Sequence, residues 1–252
     1  MIGRESTLPA RATAAPAQDT TPLAYRIAHL AVITALKVLF RFEISGRVNI
    51  PRDRPYVVAA NHLNWLDSFA LLVALPARPR LHFVGWGNVL GHPRVSWFVK
   101  TTRAGFIPIE RDPGKRAKRR RDLLRTLEQC LAFGNPLVLF PEGQVGCQEG
   151  ELAPLHAGFA RLAAMTGAPV LPVALSGTRR LWLRKRIRVV IAPSISADSQ
   201  SVDDLMTRTR DALLAAMPAP IHDERGPHLF ERKLTRLVPS LTNWEPSDLR
   251  VL

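Results

Sequence analysis

The stretch Asn61-His62-Leu63-Asn64-Trp65-Leu66-Asp67-Ser68 sets a histidine and an aspartate five positions apart. A histidine beside a carboxylate can move a proton near neutral pH. The carboxylate can accept the Nδ1–H hydrogen bond, fix the tautomer and stabilise the imidazolium, which leaves Nε2 free as a general base. Five residues along one continuous helix would set the two side chains about 140° apart. They meet only if His62 stands outside the helix and folds back over its N-terminus. The plainer reading is that Asp67 caps a helix and His62 is a turn residue. Ser68 reads most simply as a first-turn helix residue.

The flanking residues supply such a turn. Residues 56–60 are an apolar run of the kind buried in a parallel sheet. Residues 65–75 are apolar for about three helical turns and stop before Pro76. Asn64 is a good N-cap, with Asp67 then at N3 as a short relative of the capping box. His62 therefore falls on a strand-to-helix turn, where open α/β sheets place their chemistry.

The chain has 252 residues, enough for one large α/β domain. Its charge is lopsided: 35 Lys+Arg against 21 Asp+Glu, a net charge of +14 and a pI near 11.1. Such a surface attracts phosphate on nucleic acid, anionic lipid or phosphorylated substrates. The two cysteines, Cys130 and Cys147, form no Cys-x2-Cys pattern, and the seven histidines include no His-Glu-x-x-His. Neither a zinc site nor a disulfide framework is expected.

Along the chain, residues 1–21 read as a disordered tail without a signal-peptide core. Residues 22–42 read as one helix, too short in its uncharged stretch to span a bilayer. Arg26, Lys37 and Arg41 fall on one arc, interrupted near Leu30 and Ile33. The helix either lies in a membrane interface with its basic edge toward headgroups or packs on its own domain. Strands are expected at 81–86, 105–111, 137–140, 169–176 and 188–195. Helices are expected near 88–102, 115–133, 157–166 and 202–217. Lys115, Arg116, Lys118, Arg119, Arg120 and Arg121 are either a solvated face or a contact for anionic lipid or coenzyme A phosphates. Arg111, at a strand end, could grip a phosphate bidentately or pair with Glu110 or Asp112. The basic stretch 179–188 carries Leu181, Trp182 and Leu183 between its charges. The expected organisation is a tail (1–21), an interfacial helix (22–42), a core domain (43–218) and a C-terminal extension (219–252) without clear period. The fold class is α/β, a central mostly parallel sheet flanked by helices, with an N-terminal membrane-associating helix.

Four strand ends carry unusual residues: Asn61-His62 with Asp67, Gly105 to Arg111, Phe140 to Gly143, and Val170-Leu171-Pro172-Val173. In that order and spacing they resemble the four blocks of the glycerolipid acyltransferases, the family of bacterial 1-acylglycerol-3-phosphate acyltransferases, over roughly residues 40–195. The resemblance implies that His62 is the catalytic base and Asp67 its partner. Asn61 and Gly105 fall in the first two blocks and are counted with the substrate-binding residues. By the same resemblance Arg111 would bind the acceptor phosphate. Phe140, Pro141, Glu142 and Gly143 would shape the acceptor pocket, and Pro172 would support the site from beneath. The third block departs from the family pattern: a small residue, Arg and Ser are replaced by Gln144, Val145 and Gly146. A cation for the acceptor phosphate is missing there, and Arg111 and the 179–188 stretch are the candidates to compensate.

The expected reaction is acyl transfer from a thioester to the hydroxyl of lysophosphatidic acid, giving phosphatidic acid in phospholipid synthesis. A thioester is already activated, so the expectation is no metal and no cofactor, with acyl-CoA or acyl carrier protein as co-substrate. A base near the hydroxyl and donors for the oxyanion are required. No Gly-x-Ser-x-Gly elbow is present, which favours direct attack over an acyl-enzyme. The expected partners are a lysolipid acceptor and an anionic membrane surface, at the cytoplasmic face of the cell membrane. Alternatives are an acceptor lacking the phosphomonoester, a catalytically dead membrane-surface protein, or a nucleic-acid binder. The last lacks a zinc pattern, aromatic-interleaved strands and a helix-turn-helix, so no nucleic acid is expected.

Overall fold

The computed structural model describes residues 21–86, 100, 105–109, 116–145, 148–219 and 228–236. The expected tail apart from Thr21, the helix near 88–102 apart from Lys100, Arg111 with Glu110 and Asp112, and Gly146-Cys147 lie outside these residues.

An unbroken apolar strand must be covered on both faces. Val57–Ala60 (β2) is such a strand, and all four residues are buried. Its neighbours Leu137–Leu139 (β5) and Val170–Ser176 (β6) are apolar in the same way and run parallel to it. His82–Trp86 (β3) and Gly105–Ile109 (β4) continue the sheet in parallel beyond β5. On the other side Arg186–Ile191 (β7) pairs antiparallel with β6, and Arg41–Ser45 (β1) closes the edge parallel to β7. The seven-stranded order is β1-β7-β6-β2-β5-β3-β4. This is the mostly parallel α/β sheet expected, with one reversal.

Strand alternation gives the sheet two cores. Val58 and Ala60 face one cluster, covered by Leu23–Leu39 (α1) and Leu66–Ala74 (α2). Val57 and Ala59 face the other, under Arg116–Ala132 (α3), Gly158–Thr166 (α4) and Val202–Ala216 (α5). Ends are marked as sequence chemistry dictates. Ser201 caps α5 by accepting the Asp204 N–H at 3.1 Å, and α4 stops at Gly167 in the left-handed conformation.

Two elements depart from the sequence reading by more than a residue. The helix expected over 22–42 ends at Leu39, and Arg41 opens β1. Arg41, Glu43 and Ser45 alternate with Phe42 and Ile44, a period of two that pairs Phe42 with Ile187 and Ile44 with Val189. Glu43 then holds Arg186 at 3.2 Å and Arg188 at 3.0 Å. The strand expected over 188–195 runs from Arg186 to Ile191; Pro193 has no N–H to continue the ladder, and Ile195 makes only an isolated bridge to Val170.

Helix α1 does two things at once. It buries Tyr25, His29 and Leu36, and His29 Nε2 donates to the Leu72 carbonyl of α2 at 3.1 Å. Leu23, Ile27, Leu30 and Val38 form a second apolar stripe that is 62–67% exposed. Among the described residues no helix is long and apolar enough to cross a membrane.

Candidate active site

Strand β2 ends at Ala60 and α2 begins at Leu66, so residues 61–65 form the turn at the carboxyl edge of the sheet. His62 Nδ1 lies 2.7 Å from Asp67 Oδ2. The same oxygen accepts the backbone N–H of Leu63 at 2.5 Å and of Asn64 at 2.7 Å. An oxygen taking two N–H donors is acting as a carboxylate acceptor, so Nδ1 carries a proton, and in the neutral ring Nε2 is then the nitrogen with the lone pair. Helix capping and histidine orientation are thus one arrangement rather than alternatives. The carboxylate half of the capping box forms, with Asp67 reaching back to Asn64. The Asn64 side chain does not cap α2: its Oδ1 accepts from Trp65 N at 2.7 Å, and its amide turns elsewhere. Asp67 is fully buried with Oδ1 unpartnered among the described residues, whereas the His62 side chain stays 18% exposed.

The third block closes on this turn. Phe140, just past β5, stacks on the His62 ring. Glu142 Oε1 accepts the His62 N–H at 2.8 Å and Oε2 the Ala153 N–H at 3.0 Å. A buried carboxylate holding two backbone donors fixes where His62 leaves β2. Glu142 therefore grips the histidine turn, where the sequence reading expected it to shape an acceptor pocket. Gly143, at φ 65, makes the tight turn whose N–H returns to the Phe140 carbonyl at 3.0 Å. The Pro141 carbonyl accepts His156 N at 2.8 Å.

Asn61 is also a turn-holder. Its Oδ1 accepts Leu175 N at 2.7 Å and its Nδ2 donates to Leu175 O at 3.0 Å, which extends the β2–β6 ladder through a side chain. It is buried, and its side-chain amide is engaged with β6. Pro172 stands opposite Ala59 in β6, directly beside the strand that carries His62.

Gly105 is not brought to the site. It opens β4 opposite His82, which is level with Leu137 and through it with Val57, at the amino edge of the sheet. His62 lies past the other edge. Gly105 is small for packing: a Cβ there would lie 2.4 Å from the Leu81 carbonyl oxygen. Arg111 lies outside the described residues.

Sequence reasoning missed three residues of this turn's surroundings. Asn64 Nδ2 donates to the Arg179 carbonyl at 2.9 Å, Trp65 Nε1 donates to Leu234 O at 3.0 Å, and Glu149 accepts Gly177 N at 3.1 Å from the far side of the 176–180 turn. Nothing in local pattern reveals such partners. Away from the turn, burial and the Arg80 charge push His82 down to about 4, and burial pushes the Cys130 thiol up to about 12, which removes both from proton or nucleophile chemistry near neutral pH. Among the described residues no group of three or more His, Cys, Asp or Glu side chains could hold a metal ion.

Comparison with known proteins places this geometry. The fold matches the crystal structure of the 1-acyl-sn-glycerophosphate acyltransferase from Thermotoga maritima, with a TM-score of 0.61 and 20% identity, over 77% of this chain and 79% of that one. A 1-acyl-sn-glycerol-3-phosphate acyltransferase of Chlamydomonas reinhardtii is 30% identical over 192 residues, 71% of this chain and 54% of its own length. A chloroplastic one of Brassica napus is 29% identical over 157 residues, 62% of this chain and 43% of its own. The chain thus spans about half the length of these curated relatives. The acyltransferase family model matches residues 41–176, more than half of the chain and from β1 to the end of β6, and on that match the chain belongs to the acyltransferase family.

Proposed function

We propose that the protein transfers a fatty acyl group from acyl-CoA or acyl carrier protein to the hydroxyl of lysophosphatidic acid, giving phosphatidic acid. The observation that carries this reading is the His62–Asp67 pair at 2.7 Å with its oriented tautomer, within a chain of the acyltransferase family. His62 Nε2 takes the proton of the acceptor hydroxyl as its oxygen attacks the thioester carbonyl carbon. The C–O bond forms and a tetrahedral oxyanion appears. On collapse the C–S bond breaks, and the His62 imidazolium returns its proton to the leaving thiolate. The Asp67 carboxylate stabilises the imidazolium between the two steps. The reaction as written needs neither a metal nor a resident cofactor.

The membrane is the source of such an acceptor. The proposed seat is peripheral, on the cytoplasmic face of an anionic bilayer; support for the bilayer contact comes from the exposed stripe Leu23, Ile27, Leu30 and Val38. Leu229 and Phe230 add a second exposed apolar spot, followed by exposed Arg232, Lys233 and Arg236. The net charge of +14 favours anionic lipid.

A second reading is favoured by one feature. Gln144 and Val145 follow Glu142-Gly143 where a phosphate-binding cation is expected, which suits a lysolipid without a terminal phosphate. The deciding experiment incubates purified protein with acyl-CoA, or the acyl carrier protein thioester, and a panel of lysolipids, and identifies products by mass. Lysophosphatidic acid should be the best acceptor, and Arg111→Ala should raise its KM roughly ten- to a hundredfold, as loss of a charge-assisted contact does. Preference for a phosphate-free lysolipid, with Arg111→Ala inert, would replace the first reading by the second. Product from none of the panel would remove both.

A further inference from the structure

The catalytic turn is held by a segment from the far end of the chain. Residues 228–230 lead into a short helix, Glu231–Thr235 (α6), that lies against the 179–183 stretch. Contacts along its length seat it there. Arg180 pairs with Glu231 at 2.6 Å, and His228 Nδ1 lies 3.2 Å from the same carboxylate. The His228 ring stacks on Trp182, 3.9 Å between centroids, and Leu183 N donates to Leu229 O at 3.0 Å. The Thr235 hydroxyl accepts Leu181 N at 2.9 Å and lies 3.3 Å from Leu181 O, so it can bridge both backbone groups.

The last carbonyls of a helix lack partners within it. In α6 these carbonyls receive side chains of the catalytic turn. Trp65 Nε1 donates to Leu234 O at 3.0 Å, and Asn64 Nδ2, already on Arg179 O, lies 3.5 Å from Thr235 O. Asn64 and Trp65 stand between His62 and Asp67 in the chain. Tethering both restricts the opening of the loop that closes the 2.7 Å contact. From the other side, Glu149 takes the N–H groups of Gly177 and Arg179 at 3.1 and 3.4 Å and fixes the 176–180 turn on which Asn64 leans.

We propose that residues 228–235 are a clamp on the catalytic turn, with Thr235, Asn64 and Trp65 as positioning residues that act through His62. The inference rests on His62 being the base of the reaction proposed above. Its physical basis is that a base must be held close to its productive geometry. Misplacement by about 1 Å, caused far from the chemistry, can cost on the order of a hundredfold.

The test uses the full chain with Thr235→Val, which removes the hydroxyl at nearly constant volume, Thr235→Ser, which restores it, and Trp65→Phe, which removes the indole donor. Thr235→Val and Trp65→Phe should each lower kcat by about tenfold with KM for thioester and acceptor within about twofold, and Thr235→Ser should recover most of the loss. In a His62→Ala background Thr235→Val should cost nothing further, because its effect passes through His62. Amide hydrogen exchange over residues 61–67 should quicken in Thr235→Val and Trp65→Phe but not in Thr235→Ser. A Thr235→Val protein with kcat within twofold of wild type overturns the proposal, as does a loss that Ser fails to rescue. If wild type transfers acyl groups to no acceptor, the proposed function has failed on its own. Exchange then still judges the clamp, and unchanged exchange over 61–67 in Thr235→Val overturns it.

Discussion

The rings of Phe140 and His62 lie face to face, their centroids 4.0 Å apart and their planes within 15°. The contact fixes the tilt of the imidazole, and it strengthens when the ring becomes a cation, because the face of an aromatic ring attracts positive charge. A cation–π contact is worth about 0.5–2 kcal/mol, so Phe140→Leu should lower kcat by roughly two- to thirtyfold. Phe140→Tyr should keep most of it. Steady-state kinetics of the two variants check this, and equal losses in both would mean that the stacking plays no part.

Asp67→Asn should be severe. An amide oxygen can still accept the N–H groups of Leu63 and Asn64, so the turn keeps its cap. What disappears is the negative charge facing the imidazolium, and a loss of about 10²- to 10⁴-fold in kcat is expected with little change in melting temperature. Near-normal turnover would reduce Asp67 to a helix cap.

Glu142→Gln should destabilise the fold as well as the site. One carboxylate oxygen becomes an NH₂ pointing at the backbone N–H of His62 or of Ala153, and a buried donor loses its acceptor. Such a loss costs about 1–3 kcal/mol, or roughly 2–12 °C in Tm for a domain of this size. Thermal unfolding measures it, and an unchanged Tm would show that the turn finds other partners.

Stability should fall on mild acidification through His82. Its Nδ1 donates to the Arg80 carbonyl, and burial with the Arg80 charge lowers its pKa from 6.5 to about 4. Between those values the unfolded chain binds a proton that the folded chain refuses, so stability rises with pH across this window and is lost as pH falls through it. His82→Gln should flatten this part of the profile in denaturant titrations at pH 7, 5.5 and 4.5. An identical pH dependence in both proteins would exclude His82 as the cause.

Serine at Leu23, Ile27 and Leu30 should leave the fold intact, since all three are exposed. Burial of one such side chain in an apolar phase is worth about 1.5–3 kcal/mol, so the triple variant should bind anionic vesicles at least about tenfold more weakly. Cosedimentation over a salt series measures this, and undiminished binding would move the membrane contact away from α1.

The turn from β2 into α2 was legible in the sequence because it is local. An apolar run of strand length, a polar break and an apolar run of helix length point to a strand, a turn and a helix, and the five-residue spacing of His62 and Asp67 allows them to meet there, which the 2.7 Å contact shows they do. The parallel sheet was legible for the same reason, from strands apolar on both faces. Tertiary structure decided the rest. The end of the first helix became β1 because Phe42 and Ile44 found Ile187 and Val189 in register, a pairing that helical periodicity cannot reveal. The family resemblance assigns Asn61 and Glu142 to substrate; the structure adds that they bond backbone 114 and 80 residues away. Asn64 reads as an N-cap until Arg179 and Thr235, the latter 171 residues distant, draw its amide away from the helix. Propensity and periodicity act over a few residues, whereas the partner of a buried polar group is whichever backbone the strand order brings within hydrogen-bond reach.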